Sequence, residues 1–389
     1  MSASQPTPEE LASARWFGGK AGSVRTVAVE DRLELGGGAA LSILAVDGGE
    51  RYLWTEGAVA AAIASTPGPD PGVGDWRIRH TIVTGAGRGH ERPIGIDQSN
   101  TSYVVDERLV VKLYRRVWPG THPEIELVAH LTGRVASVPA FAGSIEWRGC
   151  GIGLVQEYVA GGRDGWEWAG DAVIAGEVAA FARLGTLTAE LHAALAELGV
   201  KDAGPAVRRA WRSAAEAQLE RALAIVPPDV ASALRDAEGW IRTHLGRLDD
   251  PALPATLQRV HGDYHIGQIL AAGDRLVVLD FEGEPTKPVA ERAAPGTPVR
   301  DVAAMLRSFD HLGRYVARER WPGHEAEIDA WIDRARAAFL AGYGPVDPVL
   351  LRAVEVEKAC YEFTYAAQYA PAWMYAPAGG LRWLEEHDG

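Results

Sequence analysis

The 389-residue sequence is poor in cysteine, in positive charge and in long apolar runs, and each shortage excludes a class of protein. Its two cysteines, Cys150 and Cys360, are far apart and suggest neither a disulfide framework nor a zinc site. The formal net charge of −13 argues against nucleic acid or an anionic membrane as a partner, because both attract cationic surfaces. No apolar run reaches the roughly 18 residues of a membrane span, and residues 1–16 lack the apolar core of a secretory signal. These absences predict a cytoplasmic protein.

What is present predicts a chain of several domains with an α+β fold. Residues 1–90 contain short alternating strands between Gly-rich turns and are predicted to form a small N-terminal cap subdomain. Residues 91–158 are richer in strands and are predicted to form a second, β-rich subdomain. Residues 159–389 carry apolar residues at spacings of three and four, which predicts a helix-rich C-terminal lobe.

The β-rich subdomain begins with a predicted hairpin. Apolar runs at 103–105 and 109–114 flank a short polar turn, and this arrangement is typical of two antiparallel strands. Residues 123–131 follow as a predicted helix with acidic residues in the first turn, where the helix dipole favours them. Residues 152–159 form another predicted strand.

The most informative stretch is residues 258–284, which read QRVHGDYHIGQILAAGDRLVVLDFEGE. Asp263 is a candidate base, and Gln268 and Asp280 are candidate oxygen ligands for a hard divalent cation such as Mg²⁺. Phosphoryl transfer from ATP needs an acid that orients the attacking hydroxyl and a metal that binds the phosphates. Glu282 is a possible second metal ligand, and His261 is grouped with Asp263 because it is expected to brace the catalytic loop.

This stretch resembles the catalytic loop of the aminoglycoside-phosphotransferase-like kinases, whose pattern is H-G-D-x-H-x-x-N followed by a strand ending in Asp. The sequence departs from the pattern at Gln268, which keeps the carbonyl oxygen of Asn but adds a methylene group. The resemblance implies a bilobal, protein-kinase-like fold that binds ATP and Mg²⁺. No segment resembles the A-P-E motif of protein kinases.

In such a kinase the residues of the β-rich subdomain bind the nucleotide. Lys112 lies within an apolar strand, where its charge needs partners, and ATP phosphates with a helix glutamate would supply them. Of the two acids on the next helix, Glu124 and Glu126, the sequence favours Glu126 because of its apolar neighbours. A G-x-G-x-x-G loop is absent, so hydroxyl and amide groups such as those around Ser99 are the candidate phosphate donors. The resemblance places the adenine-binding hinge at residues 156–159, including Gln156 and Tyr158.

Three further segments resemble maltokinases: residues 15–20 (RWFGGK), 279–292 (LDFEGEPTKPVAER) and 298–310 (PVRDVAAMLRSFD). The chain is shorter than typical maltokinases and ends differently after Trp373. In these respects it is more similar to a related group that phosphorylates glucosamine. The resemblance therefore implies a small-molecule sugar substrate, most similar to that of the glucosamine kinase group, while the oligomeric state stays open.

The resemblance also suggests which residues face the sugar. His265 and Arg300 follow from the matched motifs, and Trp373, Trp383 and Glu386 from the unusual C-terminus, because aromatic faces and carboxylates suit an amino sugar. Maltose 1-kinase, an aminoglycoside-type phosphotransferase and an inactive ATP-binding scaffold are the alternative functions.

Overall fold

The computed structural model describes residues 6–14, 16–17, 24–66, 72–80, 89–95, 100–227, 232–284, 287 and 289–388. It divides the chain into two compact units, Met1–Gly161 and Gly162–Gly389. The predicted lobe boundary lies between residues 158 and 159, three residues before this division. Within the described residues, no helix is long and apolar enough to cross a membrane.

The N-terminal unit opens with a small sheet and two short helices. Helix α1 begins after Thr7, whose side chain accepts a hydrogen bond from the Glu10 N–H at 3.1 Å, while the Glu10 carboxylate accepts the Thr7 N–H at 2.7 Å. The three strands form an antiparallel sheet in the order β1-β2-β3. The elements are α1 (Pro8–Ser13), β1 (Val27–Gly36), β2 (Ala39–Val46), β3 (Glu50–Glu56) and α2 (Val59–Ser65).

A second, six-stranded antiparallel sheet fills the rest of this unit, in the order β4-β8-β9-β7-β6-β5. The predicted hairpin is its β6–β7 pair, which turns through Asp106 and Glu107 at φ values of 52° and 51°, as a tight hairpin turn requires. The elements are β4 (Trp76–His80), β5 (Glu91–Pro93), β6 (Asn100–Val105), β7 (Leu109–Tyr114), α3 (Pro123–Leu131), β8 (Phe141–Trp147) and β9 (Cys150–Glu157).

The predicted subdomain boundary at residue 90 does not follow this sheet. Strand β4 lies before residue 90 in the chain but pairs with β8, with Trp76 opposite Trp147. Apolar side chains of the small sheet, such as Ile43, also share one buried core with Val111 and Ile145 of the large sheet. The predicted boundary at residue 90 therefore does not mark the end of a separate core.

The C-terminal unit is dominated by helices, with short strands around the residues 258–284. Its helices are α4 (Gly165–Ala175), α5 (Ala179–Ala196), α6 (Pro205–Ile225), α7 (Ser232–Asp236), α8 (Glu238–Leu245), α9 (Val289–Arg292), α10 (Val299–Tyr315), α11 (Glu325–Tyr343), α12 (Pro348–Tyr369) and α13 (Tyr375–Glu386). Its strands are β10 (Arg163–Asp164), β11 (Lys201–Asp202), β12 (Thr256–Leu257), β13 (Ile269–Ala272) and β14 (Arg275–Val278). The predicted α+β fold, with a helix-rich C-terminal part, is confirmed.

Two helix pairs organise this unit: α5 packs on α11, and α10 packs on α12. The first pair approaches closely through glycine. A Cβ atom on Gly185 would lie 2.0 Å from the Phe339 carbonyl oxygen, and one on Gly342 would lie 1.9 Å from the Ala182 carbonyl oxygen. Alanine at either position would push the helices apart. The second pair encloses the cavity described below.

Candidate active site

The loop around Asp263 is held by a buried carboxylate at the start of α10. Asp301 accepts hydrogen bonds from the backbone N–H groups of His261 at 2.8 Å and Gly262 at 3.0 Å. His192 Nε2 lies 3.1 Å from the same carboxylate. Burial raises the pKa of Asp301, but the hydrogen bond and charge of His192 outweigh it and hold the pKa below the ordinary value. Asp301 is therefore an ionised group that fixes the loop backbone.

His261 is a brace within this loop. Its ring is buried, and its Nε2 atom lies 2.9 Å from the Leu279 carbonyl oxygen. The Asp263 N–H donates to His261 Nδ1 at 3.3 Å, which requires Nδ1 to be unprotonated and makes Nε2 the donor. Because both nitrogens are engaged inside the loop, His261 positions Asp263 and does not itself offer a proton-transfer group. The sequence, which groups His261 with Asp263, also predicts a bracing role for it.

Two backbone positions with positive φ shape the loop and the turn beside it. Gly262 has φ +88°, and a Cβ atom there would lie 3.2 Å from the Cα of Gly283. Asp280 follows strand β14 with φ +63°, a conformation that Asp adopts more readily than most side chains. The glycine in the H-G-D motif is thus required both by its φ and by the close approach of the second segment.

The chemical groups of this region form one connected cluster. His265 Nε2 lies 3.9 Å from an Asp263 carboxylate oxygen and 3.4 Å from Gln268 Nε2. Gln268 Nε2 in turn lies 3.4 Å from Asp280 Oδ2. Burial lowers the pKa of His265, against the opposing charge of Asp263, and its Nδ1 accepts the Gly267 N–H at 3.1 Å. The sequence prediction that Asp263, Gln268 and Asp280 act together corresponds to a single constellation.

The donor set of this cluster suits a hard cation. Carboxylate oxygens of Asp280 and Glu282 lie within 4.8 Å of one another. The side-chain amide of Gln268 lies beside the Asp280 carboxylate. A half-turn of that amide exchanges its nitrogen for its oxygen at almost no change in shape. Glu282 is also 3.8 Å from Arg292, so its charge is partly neutralised already. The residues therefore fit Mg²⁺, which prefers oxygen ligands and keeps some of its waters.

A cavity of about 390 Å³ opens beside Asp263 within the C-terminal unit. Its size falls within the usual range for small-molecule sites. Asp263 and His265 contribute from the loop, and helices α10 and α12 supply most of the remaining wall. The lining residues are Trp166, Asp263, His265, Ala304, Ser308, His311, Lys358, Tyr361, Glu362, Tyr365, Ala366, Ala370, Trp373, Ala376 and Pro377.

Glu362 brings a second carboxylate to this wall. Arg307 Nη2 donates to its Oε2 at 2.7 Å, and His311 Nε2 lies 3.1 Å from the same oxygen. Burial raises the pKa of Glu362, but the charge of Arg307 and then the contact with His311 outweigh it and hold the pKa far below the usual range. Hydrogen bonds from the described residues all reach Oε2, which leaves Oε1 available to a ligand.

Sequence reasoning did not single out these wall residues, although a signal for them exists. Lys358, Tyr361, Glu362 and Tyr365 recur at spacings of three, one and three, so they share one face of α12. That face is polar and aromatic in a helix whose other positions are largely buried and apolar. A polar stripe on an otherwise apolar helix indicates a site lined by that helix.

Three residues predicted to contact the sugar lie elsewhere. Arg300 Nη2 pairs with Glu357 at 2.9 Å and does not line the cavity. Trp383 is buried, and its indole N–H donates to Asp333 at 3.0 Å, so it packs inside the unit rather than facing a ligand. Glu386 is exposed at the end of α13 and is not a lining residue. The end of α13 that borders the cavity contains Ala376 and Pro377, and of the predicted C-terminal residues only Trp373 lines the cavity.

In the N-terminal unit, Lys112 has the buried acidic partner that its position in an apolar strand requires. Its Nζ lies 2.8 Å from Glu124 Oε2, and Tyr114 donates its hydroxyl to the same oxygen at 2.7 Å. The sequence favoured Glu126 as this partner, and the structure corrects it to Glu124. Residues two apart on a helix point about 200° apart, so Glu124 and Glu126 cannot both face the strand. Glu124 is the buried one.

The predicted hinge residues are partly committed to the sheet. The Tyr158 N–H donates to the Arg108 carbonyl oxygen at 2.8 Å, and its hydroxyl accepts from Arg92 at 3.1 Å. Gln156 is buried within β9. The Val159 N–H donates no hydrogen bond to the described residues, so it is available to a ligand. Val159 is therefore a better candidate for the adenine edge than Tyr158. Ser99 lies outside the described residues.

Comparisons with known proteins identify the family of the chain. A model of the phosphotransferase enzyme family matches residues 90–353. Curated relatives include a glucosamine kinase of Mycolicibacterium smegmatis, 31% identical over 90% of this chain and 96% of the relative, and a glucosamine kinase of Streptacidiphilus jiangxiensis, 34% identical over 74% and 72%. A solved glucosamine kinase in complex with glucosamine, ADP and inorganic phosphate superposes with a TM-score of 0.80 at 28% identity, covering 98% of this chain and all of that one.

Proposed function

Because the chain belongs to the phosphotransferase enzyme family, we propose that it is a sugar kinase that transfers the γ-phosphoryl group of ATP to glucosamine, giving glucosamine 6-phosphate and ADP. The relatives that match most of its length are glucosamine kinases, which supports this choice of acceptor. The proposal includes a cytoplasmic location, where ATP is available.

The catalytic loop supplies the base for this reaction. The Asp263 carboxylate borders the cavity, so it can accept the proton of a sugar hydroxyl while that oxygen forms a bond to the γ-phosphorus. The bond between the γ-phosphorus and the bridging oxygen breaks, and ADP leaves. Lys112, fixed by Glu124, would bind the nucleotide phosphates. Gln268, Asp280 and Glu282 would hold Mg²⁺, which neutralises phosphate charge when bound.

The observation that carries the choice of an amino sugar is the carboxylate pair on the cavity wall. Asp263 and Glu362 both line the cavity, and Glu362 keeps its charge together with one oxygen that the described residues do not use. The ammonium group of glucosamine can donate to that oxygen, whereas glucose places only a neutral hydroxyl there. Aromatic side chains of the same wall favour the flat face of a pyranose ring and attract a cation.

The size of this preference follows from the contact. A hydrogen bond that involves charged groups contributes about 1.5–3 kcal/mol, which corresponds to a preference for glucosamine over glucose of about 10- to 150-fold in kcat/KM. N-Acetylglucosamine should be a poor acceptor because acetylation removes the positive charge and adds bulk at the same point.

The test measures ADP release by the full-length protein in the presence of ATP and Mg²⁺. Five separate reactions offer glucosamine, glucose, N-acetylglucosamine, maltose or an aminoglycoside as the acceptor. Preference for glucosamine, with the product identified as the 6-phosphate by NMR, supports the proposal. Preference for maltose would make the protein a maltokinase, and turnover of the aminoglycoside alone would place it among the resistance-type phosphotransferases. Absence of turnover on all five, with ATP still bound, would favour the scaffold function.

A further inference from the structure

A row of exposed aromatic rings leads away from the mouth of the cavity. Among the described residues, the large aromatic side chains with more than about a third of their surface exposed are Tyr365 at 45%, Tyr369 at 66% and Trp373 at 38%. Two of them line the cavity, and the third lies one helical turn beyond Tyr365 on α12. Exposed aromatic surface of this kind is uncommon unless a ligand or partner covers it.

The rings form a continuous ladder on one face of α12. Tyr361, Tyr365 and Tyr369 follow at intervals of four residues, with centroid separations of 6.1 Å and 5.2 Å between successive rings. Tyr361 and Tyr365 belong to the cavity wall, whereas Tyr369 does not. The ladder therefore starts inside the candidate sugar site and ends outside it.

Small residues keep the surface beside the ladder open. Ala366 and Ala370 line the cavity next to Tyr365 and Tyr369 in sequence. Trp373, which follows them, is held in place because its ring stacks on Tyr315 with centroids 5.5 Å apart and planes 8° apart. The cavity therefore has an aromatic side, and Tyr369 continues the row of rings beyond the residues that line the cavity.

The hydroxyl groups of the outer rings are also available. Neither the Tyr365 hydroxyl nor the Tyr369 hydroxyl has a hydrogen-bond partner among the described residues. A ring face that packs on C–H groups, beside a phenol hydroxyl that can donate and accept, is the chemistry that recognises a carbohydrate. A lipid or an apolar peptide would need a longer apolar surface than these rings with two alanines provide.

From this continuity we propose that Tyr365 and Tyr369 form a second sugar subsite, which receives the pyranose ring attached to glucosamine in a glycoside. The inference rests on the proposed function, since the first ring must occupy the cavity with its 6-hydroxyl at Asp263. The acceptor class then widens from free glucosamine to glycosides that end in glucosamine. Their phosphorylation has the same atom balance as the reaction on the free sugar.

The test compares three acceptors with the full-length protein: glucosamine, methyl β-glucosaminide and the β-linked glucosamine disaccharide. The methyl glycoside controls for substitution at the anomeric carbon without a second ring. We expect Tyr369→Ala to lower kcat/KM for the disaccharide about five- to tenfold while kcat/KM for the other two acceptors stays within twofold. Tyr369→Phe should retain most disaccharide activity, and Val349→Ala, an exposed residue at the other end of α12, is the matched control.

The outcomes separate this inference from the function on which it rests. If wild-type protein phosphorylates glucosamine but not the disaccharide, or if Tyr369→Ala affects all three acceptors equally, the second subsite is refuted and the kinase assignment stands. If no acceptor is phosphorylated, binding is measured by calorimetry. Tighter binding of the disaccharide than of glucosamine that is lost in Tyr369→Ala would support the subsite without the activity, whereas equal binding would refute it.

Discussion

Replacing Asp301 with asparagine should release the catalytic loop while leaving its side chains in place. The Asp301 carboxylate accepts the N–H groups of His261 and Gly262 and contacts His192, all in a buried setting. Asparagine retains one acceptor oxygen and presents an NH₂ group to the remaining donors. Because a hydrogen bond to a charged group contributes about 1.5–3 kcal/mol, we expect the local opening free energy to fall by about 2–3 kcal/mol.

Hydrogen exchange measured by mass spectrometry on the peptide covering residues 258–268 reports this opening directly. A fall of about 2–3 kcal/mol corresponds to exchange about 30- to 150-fold faster in Asp301→Asn than in wild type at neutral pH. kcat should fall as well, because Asp263 lies two residues from His261. Peptides of α6, which packs on α12, should exchange at the wild-type rate.

Asp171→Asn is the matched control, since Asp171 is a half-exposed carboxylate that pairs with Arg163 and Arg320 at 2.6 Å each. Exposed pairs contribute about 0–1 kcal/mol, so this variant should leave exchange of the loop unchanged. Equal exchange of residues 258–268 in Asp301→Asn and wild type would refute the role assigned to Asp301. The effect also has a pH signature. Because the pKa of Asp301 is depressed in the fold, its stabilisation is complete above the ordinary value of 3.8 and is lost as the pH falls through the depressed pKa.

Three other predictions concern single side chains. Asp263→Asn should lower kcat by about 10²–10⁴-fold while glucosamine still binds in calorimetry; near-normal turnover would show that another group is the base. Lys112→Met should destabilise the N-terminal unit by about 3–5 kcal/mol in urea unfolding, and adding Glu124→Gln should restore part of the loss, because the single change removes the cation that faces the buried Glu124 carboxylate; additive losses would contradict the pairing. Burial raises the pKa of Cys360 to about 12, so at pH 8 a thiol reagent should modify Cys150 in the native protein and both cysteines only in urea; rapid native labelling of two thiols would contradict the burial of Cys360.

Features set by neighbouring residues could be predicted from the sequence. The helix at Pro123–Leu131 was predicted with the bounds observed, because its Pro at the start and its acidic first turn are local signals. The hairpin that carries Lys112 was also predicted correctly within a few residues. The H-G-D loop predicted the cluster of Asp263, Gln268 and Asp280, since a motif of fixed spacing fixes its own geometry.

Features that depend on how distant segments pack could not be predicted. Whether Lys112 meets Glu124 or Glu126 depends on the rotation of one helix about its axis, which the packing of α3 decides. Glu362 reaches the cavity because α12 lies against α10, some 50 residues earlier in the chain. Trp383 was expected at the sugar because it is an aromatic residue near a variable end, but α13 turns that side chain towards Asp333. Composition identifies residue types suited to a sugar and does not tell which side of a helix they occupy.

Helix α10 serves two purposes at once. Near its start Asp301 supports the loop backbone, in its middle Ser308 accepts the Ile266 N–H at 3.1 Å, and one turn later His311 lines the cavity. A small tilt of α10 would move the Asp263 loop and the α10 side of the cavity wall together. We therefore expect changes in α10 to alter the turnover rate and the preference among acceptors at the same time. Helix α12 lines the cavity, whereas the hydrogen bonds from Asp301 and Ser308 hold the loop from α10. Engineering a new acceptor should therefore begin on α12, where changes of shape can be tolerated without moving the base.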